Sequence, residues 1–263
     1  AHAGVGTRRN TRHPVRWPAR DGRMRGWQLG GGPPVWVSAR SALVRFMPPW
    51  LAFFYGGMTR SKSVLNMLMM SFSAIGIVSV LWVLYGYSLA FAPDAGGGLL
   101  GNLDVIGLKG ITTTSVTNGL SDFVFVAFQM MFAIITLALI SGAVADRMKF
   151  GSWVLFSILW VSIVYFPVAH WVFNFGVAQY DSSGTFTGYA ADTGGWIVQR
   201  LGALDFAGGT AVHINAGAAA LALILVLGVR KGFVRDPMRP HNLPRVMIGT
   251  GIFTTTGFLA GDL

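Results

Sequence analysis

Long stretches without a formal charge divide most of the chain into candidate membrane helices. A helix needs about 20 residues to cross a bilayer. Four uncharged runs of 27, 23, 31 and 24 residues exceed that length, namely Asn66–Ala92, Phe123–Ala145, Phe150–Tyr180 and Phe206–Val229. Two shorter runs of 13 and 16 residues fall below it, Phe46–Met58 and Val246–Gly261. The pattern predicts an all-α polytopic membrane protein, with a first helix that Pro48 and Pro49 would interrupt.

The loops between these runs alternate in charge. The first (59–65), third (146–149) and fifth (230–242) carry +2, +1 and +3, whereas the second (93–121) and fourth (181–205) carry −1 and −2. Loops rich in Lys and Arg stay in the cytoplasm. We therefore expect the odd-numbered loops to be cytoplasmic, and the first native helix to start from the outside of the cytoplasmic membrane.

Composition supports a membrane protein and places most of the positive charge at one end. The chain is 53% hydrophobic and only 11% charged. Its net charge of +10 comes mostly from residues 1–46, where nine arginines face one acid, Asp21. Such a segment should stay in the cytoplasm, which conflicts with the loop charges. We expect residues 1–45 to be a disordered leader that is not native to the protein, and residues 46–263 to form the membrane domain.

Several classes of function are disfavoured. The chain has no cysteine, which excludes disulfides and cysteine metal sites. It shows no nucleophile–base pair, metal-ligand spacing or phosphate-binding loop, so we expect neither an enzyme nor a cofactor or metal. Because most of the net positive charge lies in residues 1–46, nucleic acid is not an expected partner of the chain as a whole.

His213 is a titratable residue within the fourth long run. It lies seven residues past Phe206, and its depth is roughly 10 Å at about 1.5 Å per residue. An ionisable group at that depth is costly unless it has a partner or faces a cavity, so it marks a candidate functional site. The structural alternative is a histidine that hydrogen-bonds a neighbouring helix.

Aromatic residues converge near the outer ends of the predicted helices. Phe128 and Phe132 are four residues apart, on one helical face, while Tyr165 and Phe173 lie in the outer half of the next helix. Aromatic faces attract small cations, whereas a charge deeper in the membrane is costly. The combination with His213 favours a cation that is captured, loses its proton and crosses as a neutral molecule. Each aromatic taken alone is more often core or lipid-facing.

Asp205 stands just before the same run, where a helix N-cap belongs. A carboxylate there would accept hydrogen bonds from the first amides of the helix and favour its positive dipole end. Direct attraction of a cation is the alternative role, and both can hold.

Six motifs resemble the ammonium transporters of the Amt/Mep/Rh family. They are FFYGGMTRSKSVLNMLMMSF (53–72), LWVLYGYSLAF (81–91), AFQMMF (127–132), YFPVAHWVF (165–173), DFAGGTAVHINAG (205–217) and HNLPRVMIGTG (241–251). The resemblance covers residues 51–251 in unbroken order. It implies an ammonium-transporter-like helix bundle, truncated here to about the first five or six of eleven transmembrane helices, and a homotrimer of pore-containing subunits.

The resemblance also implies roles for particular residues. Phe128 and Phe173 would form an outer ammonium-recruitment site, with Tyr165 and Gln129 in support and Asp205 as a nearby acid. Phe132 would be a gating phenylalanine and His213 the first of two pore histidines. Ammonium, with methylammonium as its analogue, would be deprotonated and passed as ammonia. A PII signalling protein is the usual cytoplasmic partner of bacterial members, but the C-terminal tail that binds it is absent here.

Both ends of the chain depart from the family, and so does one site residue. Phe173 stands where many members have tryptophan, MPPWLAFF (47–54) replaces a smoother first helix, and GIFTTTGFLAGDL (251–263) lacks the expected aromatic-rich sixth helix. The alternative is therefore a non-functional fragment of such a transporter, from a pseudogene or a frameshift. A membrane sensor built on the same fold would require a soluble signalling domain, and none is evident.

Overall fold

The computed structural model describes residues 32–112, 114–117, 120–230 and 232–261. The expected leader, up to residue 31, lies outside these residues. The helices are α1 (Gly32–Met58), α2 (Ser61–Phe91), α3 (Asp122–Val144), α4 (Phe150–Phe173), α5 (Trp196–Arg200), α6 (Gly209–Leu227) and α7 (Leu243–Gly261). Two antiparallel hairpins pair β1 (Val116–Thr117) with β2 (Leu120–Ser121) and β3 (Ala178–Tyr180) with β4 (Phe186–Tyr189).

Within the described residues, four helices are long and apolar enough to cross a membrane: α2, α3, α4 and α6. They match the four long uncharged runs, so the prediction of a multi-pass helical membrane protein is confirmed. The end of α4 differs, because the helix stops at Phe173, seven residues before the end of its run. There the side chain of Asn174 accepts a hydrogen bond from the backbone N–H of Gly176 (2.9 Å), which turns the chain toward β3.

Three of these apolar helices contain a π-helical turn in the described part of the chain. The turns are Trp82–Gly86 in α2, Val161–Tyr165 in α4 and Gly209–Ile214 at the start of α6. Such turns occur frequently at functional sites. Two of them include residues that the sequence singles out, Tyr165 and His213.

The first helix is longer than predicted and begins before the boundary expected between leader and membrane domain. Helix α1 begins at Gly32, so residues 32–45 are helical rather than disordered, and the helix continues through Pro48 and Pro49. Proline removes intrahelical hydrogen bonds, but packing can offset that cost, since Val44 and Leu51 on either side of the prolines are buried in the core.

Helix α7 packs antiparallel against α1 along most of its length. Near one end, the backbone N–H of Arg245 donates to the side-chain oxygen of Asn242 (2.9 Å), a cap that starts the helix three residues before the uncharged run. Near the other end, Nε of Arg40 donates to the carbonyl oxygen of Ala260 (2.7 Å). Gly249 allows close approach, because a Cβ there would lie 2.6 Å from the backbone nitrogen of Phe54.

Helix α3 lies at the centre of the bundle and contacts α1, α2 and α6. Its second half is buried on nearly every side, including Ile134, Ile135, Leu137 and Ile140. Helix α6, by contrast, has one exposed apolar face with Leu221, Leu225 and Val226. An apolar face of this kind suits contact with lipid or with another protein surface.

The loops separate onto two ends of the bundle. The odd-numbered loops meet at what we call the basic end, where Nε of Arg60 lies 3.1 Å from a carboxylate oxygen of Asp146 and His241 Nδ1 lies 2.9 Å from the carbonyl oxygen of Thr59. The even-numbered loops meet at the opposite, acidic end, where the backbone N–H of Trp196 donates to the carbonyl oxygen of Gly98 (3.1 Å). The alternation in charge along the sequence thus becomes a separation in space.

Candidate functional site

A cavity of about 690 Å³ lies at the acidic end, between α2, α3 and α4. Its wall includes two of the predicted recruitment residues, Gln129 and Phe173. Five further aromatic residues line it: Tyr87, Phe91, Phe125, Phe175 and Tyr189. Asp122 and Lys109 contribute the formally charged side chains among its lining residues.

The α3 wall of the cavity follows from helical spacing. Asp122, Phe125 and Gln129 are separated by three and then four residues, so they lie on one face over two turns. Phe125 meets Phe91 of α2 edge to face, with ring centroids 5.1 Å apart. Phe91 in turn stacks on Tyr87 at 5.5 Å. The wall is therefore a connected set of aromatic rings.

Phe173 is held at the cavity by the polar groups that end α4. The next residue, Asn174, is buried and donates from Nδ2 to the carbonyl oxygen of Ala92 (2.9 Å). One turn earlier, the buried His170 has Nε2 3.3 Å from Oδ1 of Asp94 and Nδ1 3.1 Å from the carbonyl oxygen of Ala90. These contacts fix the end of α4 against the end of α2, and with it the position of Phe173.

Phe128 and Phe132 lie on a neighbouring face of α3 and are not lining residues of the cavity. Their rings are in T-shaped contact with centroids 4.9 Å apart, which agrees with the shared face expected from the sequence. The guanidinium carbon of Arg40 lies 5.8 Å from the centroid of the Phe128 ring. The structure therefore separates the predicted recruitment residues into two groups: Gln129 with Phe173, and Phe128 with Phe132.

Tyr165 is a core residue in this structure. It is 1% exposed, and its ring centroid lies 6.3 Å from those of Trp160 and Phe166. It is not among the residues that line the cavity.

Asp205 caps the beginning of α6. Its two carboxylate oxygens accept hydrogen bonds from the backbone N–H groups of Thr210 (2.8 Å) and Ala211 (3.1 Å). These amides belong to the first turn, which has no intrahelical acceptors for them. Of the two roles that the sequence left open, the structure shows the cap.

His213 lies one turn below this cap, on the exposed side of α6. Its Nδ1 is 3.2 Å from the carbonyl oxygen of Gly208, within its own helical turn. The alternative of a hydrogen bond to a neighbouring helix is thus not what the structure shows. Gly208 itself has φ of +72°, a conformation that favours glycine.

Sequence reasoning missed Asp122, Phe125 and Arg40 as neighbours of the site. Asp122 stands at the edge of an uncharged run, where a charge is usually assigned to the loop. Its spacing of seven residues from Gln129 was the available signal. Arg40 falls in the segment that was expected to be disordered, so nothing in the pattern placed it near Phe128.

The helices and the cavity together define a multi-pass α-helical membrane protein with an aromatic-lined cavity at one end of its bundle. A model of the Ammonium Transporter Family matches residues 35–260. The chain therefore belongs to that family, and the resemblance seen in the motifs is confirmed. The relatives are transporters rather than enzymes, in agreement with the sequence.

Individual relatives give the same result. The chain is 56% identical over 251 residues to an ammonium transporter of Mycobacterium tuberculosis, covering 88% of this chain and 50% of the relative. An ammonium transporter of Bacillus subtilis is 46% identical over 235 residues, with 88% and 52% covered. The crystal structure of Saccharomyces cerevisiae Mep2 superimposes with a TM-score of 0.69 at 31% identity, covering 86% of this chain and 47% of that one. The chain thus spans about half the length of the relatives that it matches.

Proposed function

We propose that this protein takes part in ammonium transport, and that ammonium is recruited at the acidic end of the bundle. The observation that carries the proposal is a cavity lined by several aromatic residues, with Phe173 and Gln129 both at its wall, in a chain of the Ammonium Transporter Family. Aromatic faces stabilise a cation by about 0.5–2 kcal/mol each, depending on how far it is desolvated. The amide oxygen of Gln129 supplies a hydrogen-bond acceptor for an N–H group.

We propose that the remaining predicted residues lie along the path of the transported molecule. Phe128 and Phe132, in edge-to-face contact, would form the recruitment face and the gate that separates the outer end from the bundle interior. Tyr165 would support the site from the core. Asp205 would hold the first turn of α6 and so orient His213, past which the deprotonated species, ammonia, would travel.

We further propose an orientation in the membrane, an oligomeric state and a partner for this protein. The basic end would face the cytoplasm, since basic loops are retained there. The subunits would form a homotrimer in the cytoplasmic membrane, as the resemblance implies. Regulation by a PII signalling protein stays a prediction.

A second function is favoured by one observation, the exposure of His213. A pore histidine must line an enclosed path, and among the described residues its outward side has no wall. The alternative is a chain that binds ammonium at the acidic end without conducting it. This alternative corresponds to the transporter fragment without transport activity that was considered from the sequence.

Two measurements on the full chain separate these possibilities. Uptake of radiolabelled methylammonium is measured in cells without their own ammonium transporter, and binding of methylammonium is measured on the purified protein in detergent. We expect saturable uptake that His213→Ala changes in rate or selectivity, while the control His241→Ala, at the basic end, does not. Binding without uptake would support the alternative. The absence of both binding and uptake would refute both functions. Uptake unchanged by His213→Ala would exclude the pore role of that residue.

A further inference from the structure

A negative charge at the recruitment cavity would raise the local concentration of a cation there, and the structure identifies which acid is available. The resemblance assigned this task to Asp205. Both of its carboxylate oxygens, however, accept backbone hydrogen bonds at the start of α6, and Asp205 is not a lining residue of the cavity. A second acid of the acidic end, Asp94, accepts a hydrogen bond from the backbone N–H of Gly98 and lies against the buried His170. Neither carboxylate is available at the cavity wall.

Asp122 does reach the cavity wall. It is the first residue of α3 and lies on the same face as Phe125 and Gln129, one and two turns farther along the helix. Its backbone N–H donates to the carbonyl oxygen of Ser115 (3.1 Å), which fixes the start of the helix. Within the described part of the chain, no basic side chain forms an ion pair with its carboxylate. The charge of Asp122 is therefore directed at the same space as Phe173 and Gln129.

A purely structural role is the alternative for Asp122. An acid in the first turn of a helix interacts favourably with the helix dipole, and this effect is the same whatever the cavity contains. The two roles differ in a measurable way. The dipole effect changes the stability of the protein, whereas a role in recruitment changes the concentration of cation at which the cavity fills.

Lys109 provides the opposite charge at the same cavity. It is exposed, and it belongs to the second loop rather than to a membrane helix. A positive charge at the cavity raises the energy of a bound cation, just as the carboxylate of Asp122 lowers it. Removing the charge of Asp122 and removing that of Lys109 should therefore change the affinity of the cavity for a cation in opposite directions.

We propose that Asp122 is the carboxylate that draws ammonium into the cavity and sets its preference for cations, and that Lys109 opposes it. This inference rests on the proposed function and assigns the charge selectivity of the same site. It gives Asp122 the cation-attracting role and leaves Asp205 the structural one.

The test uses binding of radiolabelled methylammonium to the purified full chain in detergent at low ionic strength. The variants are Asp122→Asn, Asp122→Glu and Lys109→Gln. The control is Asp104→Asn, which removes an exposed acid of the second loop. Its carboxylate accepts a hydrogen bond from Asn102, and Asp104 does not line the cavity. For a charge several ångströms away in partly aqueous surroundings, we expect Asp122→Asn to weaken binding about three- to tenfold. Lys109→Gln should tighten it by a similar factor, whereas Asp122→Glu and Asp104→Asn should bind like the original protein.

The outcomes distinguish the inference from the proposed function. If the original protein binds methylammonium and Asp122→Asn binds it equally well, the inference is wrong and the proposed function stands. Equal weakening by Asp104→Asn would show a general surface-charge effect and would likewise overturn it. If the original protein neither binds nor takes up methylammonium, the proposed function fails and the inference with it. Asp122→Glu guards against misfolding, because its recovery of binding separates loss of charge from loss of structure.

Discussion

Phe173 is the residue at which the chain leaves α4, and its ring forms part of the cavity wall. Among aromatic side chains, tryptophan offers the strongest cation–π face. We predict that Phe173→Trp lowers the methylammonium concentration for half-saturation about two- to fivefold, a change of roughly 0.5–1 kcal/mol. Titration of the purified protein with radiolabelled methylammonium measures this half-saturating concentration. Phe72→Trp is the control, since Phe72 lies exposed on α2 away from the cavity. The same gain in both variants, or weaker binding by Phe173→Trp, would contradict the prediction.

Asp205 is a residue whose two possible roles can be separated by a pair of substitutions. Asparagine removes the charge but keeps one acceptor oxygen for the two backbone N–H groups, whereas alanine removes both the charge and the cap. We predict that Asp205→Ala lowers stability by about 1 kcal/mol and Asp205→Asn by less. Thermal unfolding followed by tryptophan fluorescence gives the stabilities. If Asp205→Asn proves as stable as the original protein yet loses methylammonium binding, the charge is required and the capping explanation is insufficient.

One carboxylate joins the end of α3 to the start of α2 at the basic end. Asp146 follows α3; its side chain accepts hydrogen bonds from Ser63 and from Arg60, both before or at the start of α2, and is only 4% exposed. Burial raises the pKa of Asp146, but the hydrogen bonds from Ser63 and Arg60, together with the positive charges of Arg60 and Arg230, hold this pKa below its ordinary value of 3.8. A carboxylate whose pKa is lower when folded stabilises the fold above its ordinary pKa. That contribution disappears as the pH falls through the folded value.

We therefore predict a loss of thermal stability as the pH falls below about 4, and a smaller loss in Asp146→Asn. At neutral pH the same substitution should cost about 1–3 kcal/mol, because it leaves the partly buried donors of Arg60 and Ser63 without their charged acceptor. Asp236→Asn is the matched control, since Asp236 lies 3.6 Å from Arg60 but its side chain is 54% exposed. It should cost under about 1 kcal/mol. Equal costs at neutral pH, or an acid transition unchanged in Asp146→Asn, would show that Asp146 does not connect these helices.

At the scale of elements, sequence reasoning succeeds where a helix is defined by its own composition. The structure places α3 at Asp122–Val144, one residue from the predicted run at each end, because nearly all of its length is apolar. It fails for the start of α1, where Arg45 ends the uncharged run and Arg40 adds a second charge five residues earlier. Arg40 is accommodated by a carbonyl group of α7 and by the ring of Phe128, contacts between residues far apart in sequence that a local pattern does not contain.

At the candidate site, too, the local sequence pattern predicts neighbours within one helix but not contacts between helices. Periodicity places Phe128 and Phe132 together, and they are together. Gln129 is the next residue along the helix after Phe128, but successive residues point about 100° apart, so it faces a different neighbour. Which of these faces meets Phe173 depends on how α3 and α4 pack. The sequence of either helix alone does not determine this.

For the whole molecule, the separation of charge between the two ends leads to a prediction about orientation. Because the chain has no cysteine, single cysteines can be introduced without background. Ser61 lies exposed at the basic end and Ser182 lies exposed at the acidic end, in the turn between β3 and β4. We predict that a membrane-impermeant maleimide labels Ser182→Cys in intact cells, and labels Ser61→Cys only after the membrane is permeabilised.

This expectation rests on the basic loops alone, since the arginines of residues 1–31 favour the opposite orientation at the first helix. The loops should dominate, because the three basic ones meet at one end of a single packed bundle, and that end can be on only one side of the membrane. Labelling of Ser61→Cys alone in intact cells would reverse the orientation and place the recruitment cavity on the cytoplasmic side. Labelling of both in intact cells would mean that the bundle does not cross the membrane as a unit, and the proposed path past His213 could not exist.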